Sequence, residues 1–509
     1  MATGRTELEL KFTGAPGAVA ALPSSDFFAM AAPDGGVWER LSSTYYDTPE
    51  GALATLGISL RMREEGADLV QAVKLRAGSA LRRLEFEQQL ECIPDFPLRT
   101  GDEAVDGPIS GCNDRLAPIA RTVVDRWAAI ITHKGATIEL AVDLGRAESV
   151  DETGRAFAAP LAEVELELIA GERRGLFAFA RLLADNTSLR LASGTKLDAA
   201  LALSKPDGRI AKSPKLALDN QMSAADALAT ALAGAAERMA FVQPYITDLR
   251  KAEGIHQMRV ALRRLRAIER VFRPYLKTNE ISHLALQAKG FAKNLGAARD
   301  WDVFLEETLS DICAHSDAGA GMRVLKANAE KARAQCWADA VAVIESRAFT
   351  QFLLDVSEAG IISHWRKKIR RPMSSALADF APEALDRALK KVVKTAAKVA
   401  GSDHLADRHP LRIALKKLRY PVQMFGVLYP KEARRDYMTT LSSLQDAFGV
   451  VNDAVATQRL ADIAASDGGE TVMRAAGFVS GYKAAAARAA ATAIDARWSA
   501  FEKSTPFWR

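Results

Sequence analysis

Charged and apolar residues alternate along the first part of the chain, and a helical spacing replaces this alternation further on. Segments such as TELELKF, DLVQAVKLR and AEVELELIA predict strands with one charged and one apolar side, and turn-forming residues separate them. From Ser223, a plausible helix N-cap, Ala, Leu, Arg and Lys dominate at helical intervals. We therefore predict a β-rich domain over 1–203, a polar linker over 204–221 and an all-helical domain over 222–505.

The helical part contains an internal duplication. The segment HQMRVALRRLR begins at His256, and the similar segment HPLRIALKKLR begins 153 residues later at His409. A second pair of segments, LGAARD around Gly296 and FGVVND around Gly449, has the same offset of 153. Two separated matches at one offset predict two similar helical bundles related by a pseudo-twofold axis.

The strands of the first part carry acidic or basic residues on one face. Residues two apart in a strand point to the same side, so Glu7, Glu9 and Lys11 share a face opposite Leu8 and Leu10. For a single strand, a half-buried sheet with its charged face in water explains this pattern. Several such strands together predict a barrel with a charged interior. Carboxylates there suit Mg²⁺ or Mn²⁺, and Arg and Lys suit phosphate oxygens.

Composition and charge narrow the possible environment and partners. The four cysteines form no CxxC pair, which argues against a disulfide framework or a zinc site and favours a reducing compartment. The sequence has no apolar run of membrane-spanning length, and acidic residues near its start argue against a signal peptide, so we expect a cytoplasmic protein without a membrane partner. Residues 1–205 contain 22 basic and 30 acidic residues, whereas the remainder contains 46 and 33. The basic second half predicts a polyanionic partner.

Several motifs of the first 200 residues resemble the CYTH family of triphosphate tunnel metalloenzymes. They are Glu7-Leu-Glu9-Leu-Lys11, Tyr46-Asp47-Thr48, Leu60-Arg61-Met-Arg63, Arg83-Leu-Glu85, Ile138-Glu139 to Asp143, and Glu163-Val-Glu165-Leu-Glu167. The resemblance implies an eight-stranded antiparallel β tunnel with flanking helices that cleaves a triphosphate with Mg²⁺ or Mn²⁺.

The resemblance also implies roles for individual residues. The implied metal ligands are Glu7, Glu9, Asp143, Glu165 and Glu167. The implied catalytic residues are Glu7, Glu9, Lys11, Asp143 and Glu163. The implied triphosphate-binding residues are Lys11, Arg61, Arg63, Lys74, Arg76, Arg83, Arg126 and Lys196. Such a site needs no protein nucleophile, because phosphoryl transfer depends mainly on positioning and charge neutralisation.

The duplicated helices predict two basic rows. At helical spacing, His256, Arg259 and Arg263 share one face of the first copy, while Met258 and Leu262 share an apolar stripe that we expect to be buried. A solvated basic face is the alternative reading of each row. The motif HxxRVxxRRLR resembles the CHAD family, whose members bind inorganic polyphosphate. The resemblance implies polyphosphate binding by His256, Arg259, Arg263, Arg264, Arg266, His409, Arg412, Lys416, Lys417 and Arg419.

Together these resemblances predict a hydrolase that converts inorganic triphosphate to pyrophosphate and phosphate, joined to a polyphosphate-binding domain. One alternative is a non-catalytic polyphosphate-binding or scaffold protein. Another is a triphosphatase or cyclase that acts on thiamine triphosphate or ATP. No recognition-helix or aromatic stacking pattern supports nucleic-acid binding. The sequence leaves open the preferred triphosphate, the number of metals, any regulation of the barrel and the oligomeric state.

Overall fold

A computed structural model describes the chain in two compact units. The described residues are 5–65, 68–79, 82–90, 100–151, 153–204, 210, 216–315, 319–399, 405–466 and 468–509. The first unit comprises Met1–Pro214, Ala236–Val242 and Glu345–Ile362. The second unit comprises Lys215–Ala235, Gln243–Ile344 and Ser363–Arg509. Most of the predicted linker, 204–221, lies outside the described residues.

The first unit is built on a closed antiparallel sheet. Its strands are β1 (Arg5–Thr13), β2 (Val37–Asp47), β3 (Ile58–Glu65), β4 (Asp68–Ser79), β5 (Arg82–Leu90), β6 (Ala117–His133), β7 (Ala136–Val150), β8 (Ala156–Gly171) and β9 (Arg190–Ala192). The sheet runs in the order β5-β4-β3-β2-β6-β7-β8-β1, and β1 also pairs with β5, so eight strands close on themselves. The short β9 adds to the free edge of β1 beyond β5. The predicted eight-stranded antiparallel tunnel is therefore confirmed, with one additional strand.

Burial alternates along the strands as the sequence predicts. On β1, Leu8, Leu10 and Phe12 are buried on the outer face of the barrel, and Glu7 and Glu9 point the other way. Helices cover the outer face and the ends of the sheet. They are α1 (Pro16–Ala20), α2 (Asp26–Ala31), α3 (Ala52–Thr55), α4 (Glu103–Cys112), α5 (Arg173–Asn186) and α6 (Lys196–Leu203).

One end of the barrel interior is apolar and packs against α6. Leu41, Val124 and Leu161 lie in one buried cluster on neighbouring inward-facing positions, and Ala200 of α6 joins them. A capping box at Thr195 fixes the start of this helix, because the Thr195 side chain and the Asp198 carboxylate bond to each other's backbone amides. Helix α6 therefore covers this end of the tunnel.

The described part of the second unit is almost entirely helical, as predicted. The remaining helices of the chain are α7 (Ala224–Thr247), α8 (Ala252–Phe272), α9 (Glu280–Asn294), α10 (Gly296–Val303), α11 (Ser310–His315), α12 (Ala320–Glu345), α13 (Arg347–Ile361), α14 (Leu377–Val399), α15 (His409–Phe425), α16 (Lys431–Ala465), α17 (Glu470–Thr492) and α18 (Ile494–Lys503). The predicted N-cap at Ser223 forms a capping box with Asp226. No described helix combines the length and apolarity that a membrane crossing requires.

The two copies of the duplication share the helix that carries the motif and the helix before it, but they differ afterwards. Helices α8 and α15 carry the repeated motif and pack against each other. In the second copy the following helix, α16, is continuous, whereas in the first copy the chain breaks between α9 and α10 at Leu295 and forms a π-helical turn at Phe304–Leu309. The predicted apolar stripes are buried, including Met258 and Leu262 on α8 and Leu415 on α15.

Helix α13 belongs to the first unit although it lies far from the strands in sequence. Its Asp355 and Glu358 carboxylates accept hydrogen bonds from Arg181 of α5, at 2.7 and 2.5 Å. Gln351 of α13 donates to Asp185 at the end of α5, at 3.0 Å. Arg190 of β9 also lies 3.7 Å from Glu345, the last residue of α12, which is separated from α13 only by Ser346. These polar contacts fix α13 against α5 and β9.

Candidate functional site

Adjacent strands bring the predicted carboxylates of the tunnel together. Strand β8 lies between β1 and β7, so Glu165 stands opposite Lys11 and Glu163 stands opposite Asp143. Oxygen atoms of Asp143, Glu163 and Glu165 all lie within 4.8 Å of one another. Three carboxylates at this separation form a donor set that suits a hard divalent cation.

The Lys196 ammonium lies among these three carboxylates. Its Nζ is 2.8 Å from Asp143 Oδ2 and 3.3 Å from Glu163 Oε2, and it also bonds to Glu165 Oε1. Burial alone would lower the pKa of Lys196, but the three carboxylates outweigh burial and hold the pKa well above its ordinary value. Lys196 is the first residue of α6, so the capping box at Thr195 sets its position.

Arg126 and Lys11 complete the cationic side of this cluster. The Arg126 guanidinium binds Asp143 through two hydrogen bonds of 2.7 Å and also contacts Glu165. Lys11 Nζ lies 2.5 Å from Glu165 and 3.3 Å from Glu9. Burial alone would raise the pKa of Glu165, yet its cationic neighbours hold the pKa well below the usual range. Asp143 is completely buried, and Glu165 is nearly so.

A second set of ion pairs lines the wall formed by β3, β4, β5 and the start of β1. Lys74 lies 2.8 Å from Glu85 and 3.2 Å from Glu7, and Arg61 lies 3.4 Å from Glu85. Arg61 and Arg63 also approach Glu87, at 3.3 and 3.7 Å. This wall therefore supplies its own carboxylates to the predicted phosphate-binding cations.

Glu7 and Glu85 form a coupled pair on this wall. Burial and the hydrogen bond between the two carboxyl groups raise the pKa of Glu7 to about 8. Burial would also raise the pKa of Glu85, but the same hydrogen bond and the charges of Lys74 and Arg61 hold it below the ordinary value. The pKa values of the two carboxyl groups are therefore shifted in opposite directions.

The remaining predicted tunnel residues occupy less central positions. Glu167 stands opposite Glu9 and Glu139 in the register of β1, β8 and β7. Glu7, Glu9 and Glu167 are outside the three-carboxylate cluster that the described residues form. Arg83 stands opposite Glu7 in register, but the side chains of Arg83 and Arg76 lie outside the described part of the structure.

Sequence reasoning left Glu85 and Glu87 out of the site. Both share a strand face with Arg83, and this alternation could have placed them inside the barrel. Their role as partners of Lys74 and Arg61 follows from the pairing of β4 with β5, which places Lys74 opposite Glu85 and Ala72 opposite Glu87. The motif Arg83-Leu-Glu85 was recognised, but only Arg83 was given a role, and the predicted acidic residues came from β1, β7 and β8.

The basic rows of the second unit meet where α8 and α15 pack. Buried Nε atoms of Arg263 and Arg412 have no hydrogen-bond partner among the described residues. Lys416 reaches the surface, yet partial burial and the charges of Arg412 and Arg263 lower its pKa to about 8. Arg263 of the first row therefore lies close enough to Lys416 of the second row for their charges to interact.

The other residues of the rows have more varied surroundings. Arg259 donates to the carbonyl oxygen of Ala292 at 2.6 Å, so part of its guanidinium supports the end of α9. Arg419 donates to Gln445 at 3.0 Å. His256 is partly buried, and burial together with Arg299 lowers its pKa. The exposed members of the predicted set are Arg264, His409, Lys416 and Lys417, while Arg266 is partly buried.

Comparison with known proteins identifies both halves of the chain. The CYTH domain family matches residues 7–200, and the CHAD domain family matches residues 230–462. Two uncharacterized proteins of Mycobacterium tuberculosis are each 26% identical over 434 residues, which cover 80% of this chain and 80% of each relative. An inorganic triphosphatase of Haemophilus influenzae is 25% identical over 163 residues, 31% of this chain and 44% of that protein. The crystal structure of the CHAD domain from the plant Ricinus communis is 26% identical, with a TM-score of 0.48 over 58% of this chain and 98% of that one.

Proposed function

Because the chain contains a CYTH domain followed by a CHAD domain, we propose that it hydrolyses inorganic triphosphate to pyrophosphate and phosphate and also binds inorganic polyphosphate. The observation that carries the hydrolase proposal is the cluster of Asp143, Glu163 and Glu165 beside Lys11 and Arg126 inside a closed sheet. The similarity to a protein named inorganic triphosphatase supports the same substrate class.

The three clustered carboxylates would hold Mg²⁺ or Mn²⁺, because their oxygens lie close together and hard cations prefer oxygen ligands. Such a cation would neutralise phosphate charge and help to orient water. The tunnel cations act on the substrate itself. Lys11, Arg126 and Lys196 bind phosphate oxygens on one side of the lumen, and Arg61 and Lys74 bind them from the other wall.

Each of these cations is paired with a carboxylate of the lumen. Arg126 is bound to Asp143, and Lys74 is bound to Glu85. A bound triphosphate exchanges some of these carboxylate contacts for contacts to phosphate oxygens. Charge is already positioned before binding, which lowers the reorganisation that the reaction requires.

Phosphate release from tripolyphosphate tests the hydrolase. We expect turnover with Mg²⁺ or Mn²⁺ that is lost in EDTA and in Glu165→Ala or Glu7→Ala. Glu64→Ala is the matched control, because Glu64 is exposed. Turnover of thiamine triphosphate and of ATP, with detection of cyclic AMP, shows whether an organic triphosphate is the preferred substrate. Absence of turnover with every triphosphate would overturn the hydrolase and leave the non-catalytic polyphosphate binder.

For the second unit, the unpartnered Nε atoms of Arg263 and Arg412 and the crowding of cations around Lys416 support anion binding. A polyanion would relieve the mutual repulsion of these side chains. We expect the full-length protein to bind linear polyphosphate with an affinity that falls as salt rises. Arg263→Ala with Arg412→Ala should lower the slope of log K against log salt by about 2. An unchanged affinity in this double variant would contradict the proposed surface.

A further inference from the structure

A short basic ribbon lies beyond the end of α8, outside the two predicted rows. Residues 275–277 run antiparallel to residues 368–370, with a bridge between Leu276 and Ile369. The Lys277 amide donates to the Lys368 carbonyl at 2.7 Å, and the Arg370 amide donates to the Tyr275 carbonyl at 2.8 Å. We define the basic ribbon by its exposed cations, Lys277, Lys367, Lys368, Arg370 and Arg371.

The ribbon is anchored on the core of the second unit. Tyr275 and Leu276 are buried, and Trp365 and Met373, in the short helical turns before and after residues 368–370, are fully buried. The Tyr275 ring packs on Phe380 with centroids 4.8 Å apart. Because the backbone is fixed on both sides, the exposed cations are held close together before any ligand arrives. Pre-positioned charges lose less freedom on binding than charges on a flexible segment.

The ribbon charges are not balanced by neighbouring carboxylates. Among the residues that the structure describes, no ion pair involves Lys277, Lys367, Lys368, Arg370 or Arg371. The nearest recorded pairs involve Arg366 with Asp226 and Arg273 with Glu269. An exposed group of unbalanced cations creates a local field that attracts a polyanion.

The basic row of α8 leads to the ribbon. Arg263, Arg266 and Arg270 follow the helical spacing of one face, and Arg273 immediately follows the helix. The carbonyl oxygen of Arg273 accepts a hydrogen bond from the amide of Leu276, which places Arg273 beside the ribbon. Burial and the charges of Arg266 and Arg273 lower the pKa of Arg270, in agreement with a continuous line of cations. From His256 to Arg273 this line extends about 26 Å.

The duplication does not repeat this extension. At the offset of 153, Arg273 corresponds to Gly426 and Lys277 corresponds to Pro430, neither of which carries charge. At these two positions, therefore, only the first copy carries the cations that connect its row to the ribbon. A short ligand centred between α8 and α15 contacts the two copies alike. A long ligand also reaches cations that only the first copy has.

We propose that the basic ribbon is a second contact site for linear polyphosphate and that it gives the protein a preference for long chains. This inference rests on the proposed polyphosphate binding and specifies the ligand further. Only long chains reach from the row between α8 and α15 past Arg273 to the ribbon. Nucleic acid fits less well, because the aromatic residues of the ribbon, Tyr275 and Trp365, are buried and offer no stacking surface. A membrane surface fits less well, because the ribbon's Leu276 and Met373 are buried.

The test measures binding of the full-length protein to long-chain polyphosphate and to tripolyphosphate over a range of salt concentrations. The ribbon variant carries Lys277→Ala, Lys368→Ala and Arg370→Ala. The control variant carries Lys326→Ala, Lys331→Ala and Arg474→Ala, which removes the same charge from exposed positions elsewhere in the second unit. For long chains, we expect the ribbon variant to lose roughly tenfold or more in affinity at low salt and its salt slope to fall by about 2–3.

The outcomes separate the inference from the proposed function. The ribbon variant should bind tripolyphosphate, and hydrolyse it, like the unmodified protein. If the unmodified protein fails to bind polyphosphate at all, the proposed function itself is wrong. If it binds but the ribbon and control variants lose equal affinity for long chains, the ribbon inference alone is wrong. Loss of duplex DNA binding or of binding to anionic vesicles, with polyphosphate binding retained, would reassign the ribbon to that partner.

Discussion

Lys196→Met tests the role of the cation at the centre of the carboxylate cluster. The substitution keeps an aliphatic side chain of similar length and removes the ammonium that contacts Asp143, Glu163 and Glu165. Asp143 keeps its two hydrogen bonds from Arg126. The ion pair with Lys196 is the only one that the described structure records for Glu163, whose side chain is 15% exposed.

The expected magnitude follows from these contacts. Removing one partner of a buried ion pair costs about 3–5 kcal/mol when the other charge stays unpaired. Since two of the three carboxylates keep other cations, we expect the lower end, about 3 kcal/mol, in a metal-free buffer. For a unit of this size that loss lowers the melting temperature by on the order of 10 °C.

A divalent cation should reverse the loss. By the proposed metal binding, Mn²⁺ would compete in the unmodified protein with the Lys196 ammonium for the same carboxylate oxygens, whereas in the variant that competition would be gone. A metal that binds only the folded state raises the free energy of unfolding by about 2.7 kcal/mol when its free concentration is 100 times its Kd. Mn²⁺ should therefore raise the melting temperature of the variant more than that of the unmodified protein, while tripolyphosphate turnover falls because one phosphate-binding cation is missing.

The assay is thermal unfolding in EDTA and across an Mn²⁺ titration, with isothermal calorimetry for the Mn²⁺ affinity. Lys134→Met, in an exposed hairpin turn, is the control for loss of one positive charge. Two results would refute the reasoning. One is a variant as stable in EDTA as the unmodified protein, and the other is an equal Mn²⁺ response in both.

Three further predictions concern pH and ion pairs. Lys416 has a pKa of about 8 instead of 10.5, so it loses its proton as pH rises through 8. A bound polyanion favours the protonated form, so polyphosphate affinity should fall as pH rises from about 7 to 9, and calorimetry should detect proton uptake on binding. In Lys416→Arg the dependence of affinity on pH should be weaker, because arginine stays charged. Glu85→Gln removes the buried carboxylate that Lys74 and Arg61 share, so the free energy of unfolding should fall by about 3 kcal/mol. An unchanged midpoint of urea unfolding would contradict this. Arg181→Ala should lower the free energy of unfolding by about 1–3 kcal/mol in urea titrations. The same substitution should cost less in an Asp355→Asn background, because the ion pair is then already broken, and equal costs would contradict the coupling.

The tunnel could be predicted from sequence because its strands follow a simple period. Alternation of charged residues with buried ones such as Leu10 and Phe12 allows few arrangements other than a closed sheet with a charged interior. The pairing of individual charges could not be predicted. Which carboxylate meets Lys74 depends on the register of β4 with β5 and on closure between β1 and β5, and several registers satisfy the same alternation.

Other features depend on residues that are distant in sequence. The charges at 366–371 are visible as a run, but only the fold brings them to Lys277 and Arg273. Helix α13 is buried on several sides, since the consecutive residues Phe352, Leu353 and Leu354 are all buried, so its pattern predicts a helix with many neighbours without identifying them. Its place beside α5 follows from tertiary contacts such as the hydrogen bonds of Arg181.

The first unit is assembled from three separate stretches of chain, the last of which ends at Ile362. A ribosome makes β1–β9 early, and α13 follows only about 150 residues later. During that interval Arg181 of α5 has no Asp355 or Glu358 to bind. Domains usually fold in the order in which they are synthesised. Here the strands of the tunnel are complete early, but the first unit lacks α13 until much of the second half has emerged, so we expect α5 to gain these contacts late in translation.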